Sequence, residues 1–218
     1  WEMDSTVSPP DVNSSGLNFS VEGERITFGL GAIKGLGSAA AQQIIDARRE
    51  HGKFQDLLDF CEATEAKINR RIMENLCKSG AFDRFGLKRS QIFSMVDSAL
   101  SRAQESISDR AAGQGSLFEM MSGDDADSVK LSAPDIDEWE DRELLGYEKE
   151  LLGFYVTGHP LTEHIDILEN YQFITPGELL QAEPERLTRI GGIITGIDMK
   201  RSKKDNRPWS ILEVEGLD

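Results

Sequence analysis

The 218-residue sequence is poor in residues that build redox or metal chemistry, with two cysteines and three histidines. Cys61 and Cys77 lack paired metal-ligand spacing and stand in helix-like contexts, which predicts buried thiols rather than a disulfide or a zinc site. His51, His159 and His164 have neither a partnered serine nor ligand-like spacing. No catalytic residue, no metal site and no cofactor is therefore assigned to this chain. There is no run of about 18 apolar residues, so no membrane-spanning helix and no membrane partner is expected. The start, WEMDSTVSPPD, has neither the layout of a signal peptide nor an initiator Met, and the expectation is a segment of a cytoplasmic protein. A hydrophobic content of 39% is enough for a core, in one large domain or two small ones.

Positive charge is also scarce: 24 Lys and Arg stand against 39 Asp and Glu, a net charge of -15. That balance argues against nucleic acid, whose recognition rests on a basic footprint. Its distribution argues otherwise. Residues 25–110 hold 14 basic against 11 acidic residues, whereas residues 119–185 hold 3 against 18. A locally basic module joined to an acidic one can still grip a duplex, with the acidic part facing a protein partner or solvent.

The most informative feature is the turn Gly35-Leu36-Gly37, which opens into an amphipathic helix over about 37–50. Two glycines around one apolar residue permit positive φ and close approach. The amides of Gly37, Ser38 and Ala39 then point out of a helix start, a natural anion site, unless Ser38 caps the helix. An apolar segment, a Gly-Leu-Gly turn and small residues Ala39 to Ala41 meet the needs of a helix-hairpin-helix unit, which holds a duplex phosphate without reading sequence. Packing is the other reading of the glycines. Further helices are predicted at 54–60 and 67–78, and Lys78-Ser79-Gly80-Ala81 reads as a degenerate second copy of the turn. Lys34 adjoins the first turn; Arg70, Arg71, Lys78, Lys88 and Arg89 adjoin the second. Any of them could face a phosphate or simply solvent.

Elsewhere the chain reads as an extended lead and a β-hairpin about Glu22-Gly23 (1–25), the tandem hairpin domain (26–110), a Gly-, Ser- and Asp-rich linker (111–136), a helical connector (137–185) and two strands at the end (186–218). Helices are expected near 90–107, 137–152, 161–170 and 176–182. Within the linker, Gln114-Gly115-Ser116-Leu117-Phe118 carries an apolar pair with no helical face to bury it. It suggests a peptide that docks in a partner's pocket, with folding back on its own domain as the alternative. Arg201, Lys203, Lys204 and Arg207 lie between the terminal strands beside Trp209, a basic loop with an aromatic strand residue that suits single-stranded nucleic acid.

PPDVN at 9–13, ITFGLGAIKGLG at 26–37, KSGAFD at 78–83, LLGFYVTGHPL at 151–161 and RIGGIIT at 189–195 together resemble the catalytic α subunit of bacterial DNA polymerase III, a family C replicative polymerase. The resemblance implies a mainly α fold: a tandem helix-hairpin-helix domain preceded by a short β-hairpin, then a linker, more helices and the first strands of a truncated OB-fold. It implies a non-catalytic segment that binds double-stranded DNA through Lys34, Gly35, Leu36, Gly37, Ser38, Arg70, Arg71, Lys78, Ser79 and Gly80. Gln114, Leu117 and Phe118 are similar to the sliding-clamp peptide, and Lys203 and Lys204 would meet single-stranded DNA. Other replicase subunits are further implied partners. The full polymerase would be a nucleotidyltransferase using divalent metal, Mg, on palm carboxylates that cannot be placed in this chain. A helix-hairpin-helix accessory domain of a repair nuclease or glycosylase, and a protein-interaction scaffold, are the alternatives.

Overall fold

The structure is a computed structural model that describes residues 6–111, 131–183 and 187–217. It divides into two compact units, one ending at Thr157 and one beginning at Gly158. Seven α-helices and five strands are present among the described residues.

The first unit opens on a three-stranded sheet. Gly23, at φ +64°, turns β2 (Ser20–Glu22) into β3 (Arg25–Thr27), as the sequence predicts. The preceding lead contributes a further strand, β1 (Thr6–Ser8), which pairs parallel to β3 on its other edge. After it the chain folds inward. Val12 donates its N–H to Ala81 O at 3.0 Å, and Val12 and Ser15 are fully buried.

Helix α1 (Gly37–His51) buries Ala41, Ile44, Ile45 and Ala47 and stops at Gly52, where φ is +89°. Helix α2 (Leu57–Ala63) starts three residues later than the apolar spacing suggests, because the Asp56 carboxylate accepts from Asp59 N at 2.9 Å and caps it there. Asn69 does the same for α3 (Arg70–Lys78), accepting from Ile72 N at 3.0 Å. Helix α4 (Arg89–Ala111) follows a short 3-10 turn at Asp83–Phe85. Helix α5 (Asp141–Leu152) begins after Glu138, whose carboxylate is engaged elsewhere: it accepts from the N–H groups of Arg89 and Ser90 at 2.6 and 2.9 Å and caps α4.

One core joins these helices. Phe54, Phe60 and Phe82 meet edge to face with centroids 5.0 Å apart, around Leu30, Ile44, Met73, Leu76 and Ile92, which are fully buried. Each such side chain removed from water contributes roughly 1.5–3 kcal/mol. Leu151 and Leu152 of α5 belong to the same core, so the stretch expected as one connector over 137–185 is divided, its first part packing with the hairpins.

In the second unit a 3-10 turn (Thr162–His164) runs into α6 (Ile165–Asn170), and Thr175 and Glu178 form a reciprocal cap at the start of α7 (Pro176–Leu179). Strands β4 (Ile193–Arg201) and β5 (Pro208–Glu215) pair antiparallel with a bulge between Ile194 and Gly196. This is a two-stranded sheet, and two strands do not define a barrel. The mainly helical class, with strands at both ends, agrees with the expectation.

Candidate nucleic-acid interface

The first turn is held by its apolar residues and open at its polar ones. Ile33 and Leu36 are buried, and Leu36 N bonds to Ile33 O at 3.1 Å. Lys34, Gly35, Gly37 and Ser38 are exposed. Gly35 and Gly37 have φ of +82° and +74°, a conformation that disfavours a Cβ. Gly35 is doubly required, since a Cβ there would come within 2.7 Å of Asn75 Nδ2. Gly37 faces open space.

Two other elements fix this turn. Asn75 of α3 donates its side-chain amide to Lys34 O at 3.2 Å, and Lys34 N donates to Leu151 O of α5 at 2.9 Å. Among the described residues no side chain caps the start of α1, Ser38 included, and its first turn holds no acidic residue. A helix leaves its first amides without internal acceptors and concentrates positive potential there. The result is an exposed, uncompensated donor cluster at Gly37 to Ala39.

Helix α3 supplies charge beside it. Arg71, Asn75 and Lys78 are spaced four and three apart and so lie along one face, and Asn75 marks that face as the one meeting the turn. Arg71 is exposed, with no carboxylate in ion-pair range among the described residues. The Lys78 ammonium sits 4.6 Å from the Tyr147 ring centroid and 5.3 Å from that of Phe93. Arg70 is different. It pairs with Glu74 at 2.8 Å and Asp97 at 3.0 Å, contacts that raise its pKa.

The second turn corrects the expectation for Ser79 and Gly80. Both are buried, and their amides are donated to Asn75 O and Cys77 O at 2.9 and 3.1 Å. In this conformation neither offers a donor to a phosphate. Arg89 is buried as well: Nη2 meets Asp83 at 2.7 Å and Nη1 meets Glu148 at 3.1 Å. Burial works against its charge, but the two carboxylates outweigh it and raise the pKa. Lys88 donates to Ile136 O at 3.0 Å.

The PPDVN stretch is a clip rather than a contact. Asn13 exchanges hydrogen bonds of 2.8 Å with Phe54 N and O, and Arg48 donates to Val12 O and Ser15 O at 2.8 and 3.0 Å. Lys203 and Lys204 are exposed in the turn between β4 and β5, with Trp209 half exposed near the Lys200 ammonium. Gln114, Leu117 and Phe118 lie outside the described residues. Among the described residues no cluster of three or more His, Cys, Asp or Glu is arranged to hold a metal ion. No helix of the described residues is long and apolar enough to cross a membrane.

Asn75, Tyr147 and Leu151 O are the elements that the sequence reading missed. Asn75 had a signal, its spacing from Arg71 and Lys78. The other two come from beyond the linker and had none.

Residues 4–92 match the family model for the helix-hairpin-helix motif. The chain is 32% identical over 210 residues to DNA polymerase III subunit alpha of Escherichia coli K12, and 36% identical over 220 residues to that of Mycobacterium tuberculosis H37Rv. It is 33% identical over 207 residues to the same subunit of Vibrio cholerae. These alignments cover 95%, 97% and 94% of the chain and in each case 18% of the relative. The chain thus spans less than a fifth of the length of these relatives, and the resemblance read from its motifs holds nearly end to end.

Proposed function

We propose that this chain, similar along its length to a segment of bacterial DNA polymerase III α, is a duplex-gripping and tethering part of a replicative polymerase. The observation that carries the reading is the first turn: an uncapped helix start, exposed glycines and flanking Lys34 and Arg71. Phosphate oxygens accept from the amides of Gly37, Ser38 and Ala39, while the two cations neutralise neighbouring phosphates. Leu36, the one large side chain of the turn, is buried. Backbone amides at that turn meet phosphates, which are the same at every base step, so the grip they supply is independent of sequence.

Gln114, Leu117 and Phe118 would dock in a pocket of the sliding clamp, and Lys203, Lys204 and Trp209 would meet single-stranded DNA. Tethering raises the effective concentration of enzyme at the primer end, which turns a modest grip into processive synthesis. Nucleotidyl transfer with Mg belongs to carboxylates outside this chain.

Titration of a mixed-sequence duplex by fluorescence anisotropy at low and at physiological salt tests the grip. Binding that weakens with salt and is indifferent to sequence is expected, with Gly37→Val much weaker because Val strains a position at φ +74°. Absence of binding by the parent at low salt overturns the reading.

A further inference from the structure

Residues 134–157 return across the linker and attach to the hairpin domain at both of its turns. At the first, Leu151 O accepts from Lys34 N at 2.9 Å. At the second, Glu148 Oε1 accepts from Arg89 Nη1 at 3.1 Å. Between them, Tyr147 places its ring beneath the Lys78 ammonium. The start of α4 is tied by the same segment: Glu138 caps it, Gln91 Nε2 donates to Pro134 O at 2.7 Å, and Ser90 Oγ donates to Asp137 O at 2.8 Å.

Glu148 is the centre of this attachment. It is fully buried, yet its carboxylate is satisfied on both oxygens, by Arg89, by the N–H groups of Val156 and Thr157 at 2.9 and 3.0 Å, and by Thr157 Oγ1 at 2.9 Å. A buried carboxylate costs folding energy unless it is paired in this way. Five residues beyond α5 the chain is thus still tied to Glu148, and through Glu148 to Arg89 of the hairpin domain.

We propose that the return segment is part of the duplex grip, with Tyr147 of α5 a positioning residue that holds Lys78, and Glu148 and Leu151 fixing α5 against the two hairpin turns. The inference rests on the duplex-binding reading above. Lys78 is a long, flexible side chain, and ordering it before DNA arrives removes part of the entropic cost of the contact. The family-model match ends at residue 92, whereas the grip extends through residue 157.

The test is a double-mutant cycle on the full chain with the same mixed-sequence duplex. Lys78→Ala should weaken binding and lower the salt slope by about 0.9, the loss of one phosphate contact. Tyr147→Ala should weaken binding about threefold, as expected for one half-buried cation–π contact, with the slope unchanged because Lys78 is still present. Tyr147→Phe, which keeps the ring, should restore parental affinity. Tyr147→Ala added to Lys78→Ala should cost nothing further. Additive effects, or parental affinity of Tyr147→Ala, overturn the positioning role while leaving duplex binding intact. A parent that fails to bind at all overturns the underlying reading instead. Hydrogen exchange of the Lys34, Val156 and Thr157 amides supplies a second measurement: Glu148→Gln should speed exchange at Val156 and Thr157, and unchanged protection at both refutes the Glu148 anchor.

Discussion

The guanidinium of Arg89 occupies the space that a Cβ on Gly80 would need. Gly80 also stands at φ +79°, a conformation costing other residues about 1–2 kcal/mol. Arg89 has nowhere to retreat, because Asp83 and Glu148 hold it from two sides. Gly80→Ala should therefore destabilise the first unit by about 3 kcal/mol, the backbone strain plus disturbance of a buried ion pair. Urea denaturation followed by circular dichroism measures it; a loss below about 1 kcal/mol would show that Arg89 yields without cost.

The cap that Glu138 places on α4 carries a pH dependence. Burial raises its carboxyl pKa, but hydrogen bonds from the N–H groups of Ser90, Trp139 and Arg89 outweigh this and leave it below the ordinary 4.5. A carboxyl depressed in the folded chain stabilises it at pH above its unfolded value and loses that contribution as pH falls through the folded one. Glu138→Gln should thus cost about 1 kcal/mol near neutrality, typical of a lost cap. The gap between parent and variant should close as pH drops below 4.5. Paired melts across that range check it, and a gap constant with pH would remove the carboxylate from the cap.

These two positions mark where the sequence stops being legible. Gly35-Leu36-Gly37 announces itself because positive φ at both glycines is a local demand, written in three adjacent residues. Helix positions follow from apolar spacing, and their shifted starts from Asp56 and Asn69, whose side chains set the first turn. Arg89 is another matter. A basic residue at a helix start reads as surface charge until Glu148, 59 residues away, is seen to meet it. KSGAFD resembles a second phosphate turn by composition, yet the amides of Ser79, Gly80 and Ala81 are consumed within the chain, and hydrogen-bond bookkeeping of that kind has no sequence signature. Strand β1 was hidden for a similar reason: three residues paired in parallel carry no period to detect.

Cys61 and Cys77 are free, buried thiols. Burial is the main cause of their raised pKa values, that of Cys61 being pushed up to about 12. The thiolate is the reactive form, so both should resist alkylation in the folded chain at mildly alkaline pH. Mass spectrometry after iodoacetamide treatment should find two modified cysteines in urea and none without it. Rapid native labelling of Cys61 would show that α2 opens locally.

Adjacent arginines on α3 offer the sharpest discrimination. Arg71 shares the face of Asn75, the residue that touches the Gly35 turn, and has no ion-pair partner among the described residues. Arg70 points its charge at Glu74 and Asp97. An arginine already neutralised by two carboxylates releases few counterions from DNA, whereas an unpaired one contributes fully. Arg71→Ala should lower the slope of log affinity against log salt by about 0.9, and Arg70→Ala by clearly less. Equal slopes for the two variants would mean that α3 meets the duplex along a different face, because a rotation of about 100° separates neighbouring residues on a helix. Each substitution removes one guanidinium from the same helix, so the difference between them reads the direction and the ion pairing of that group.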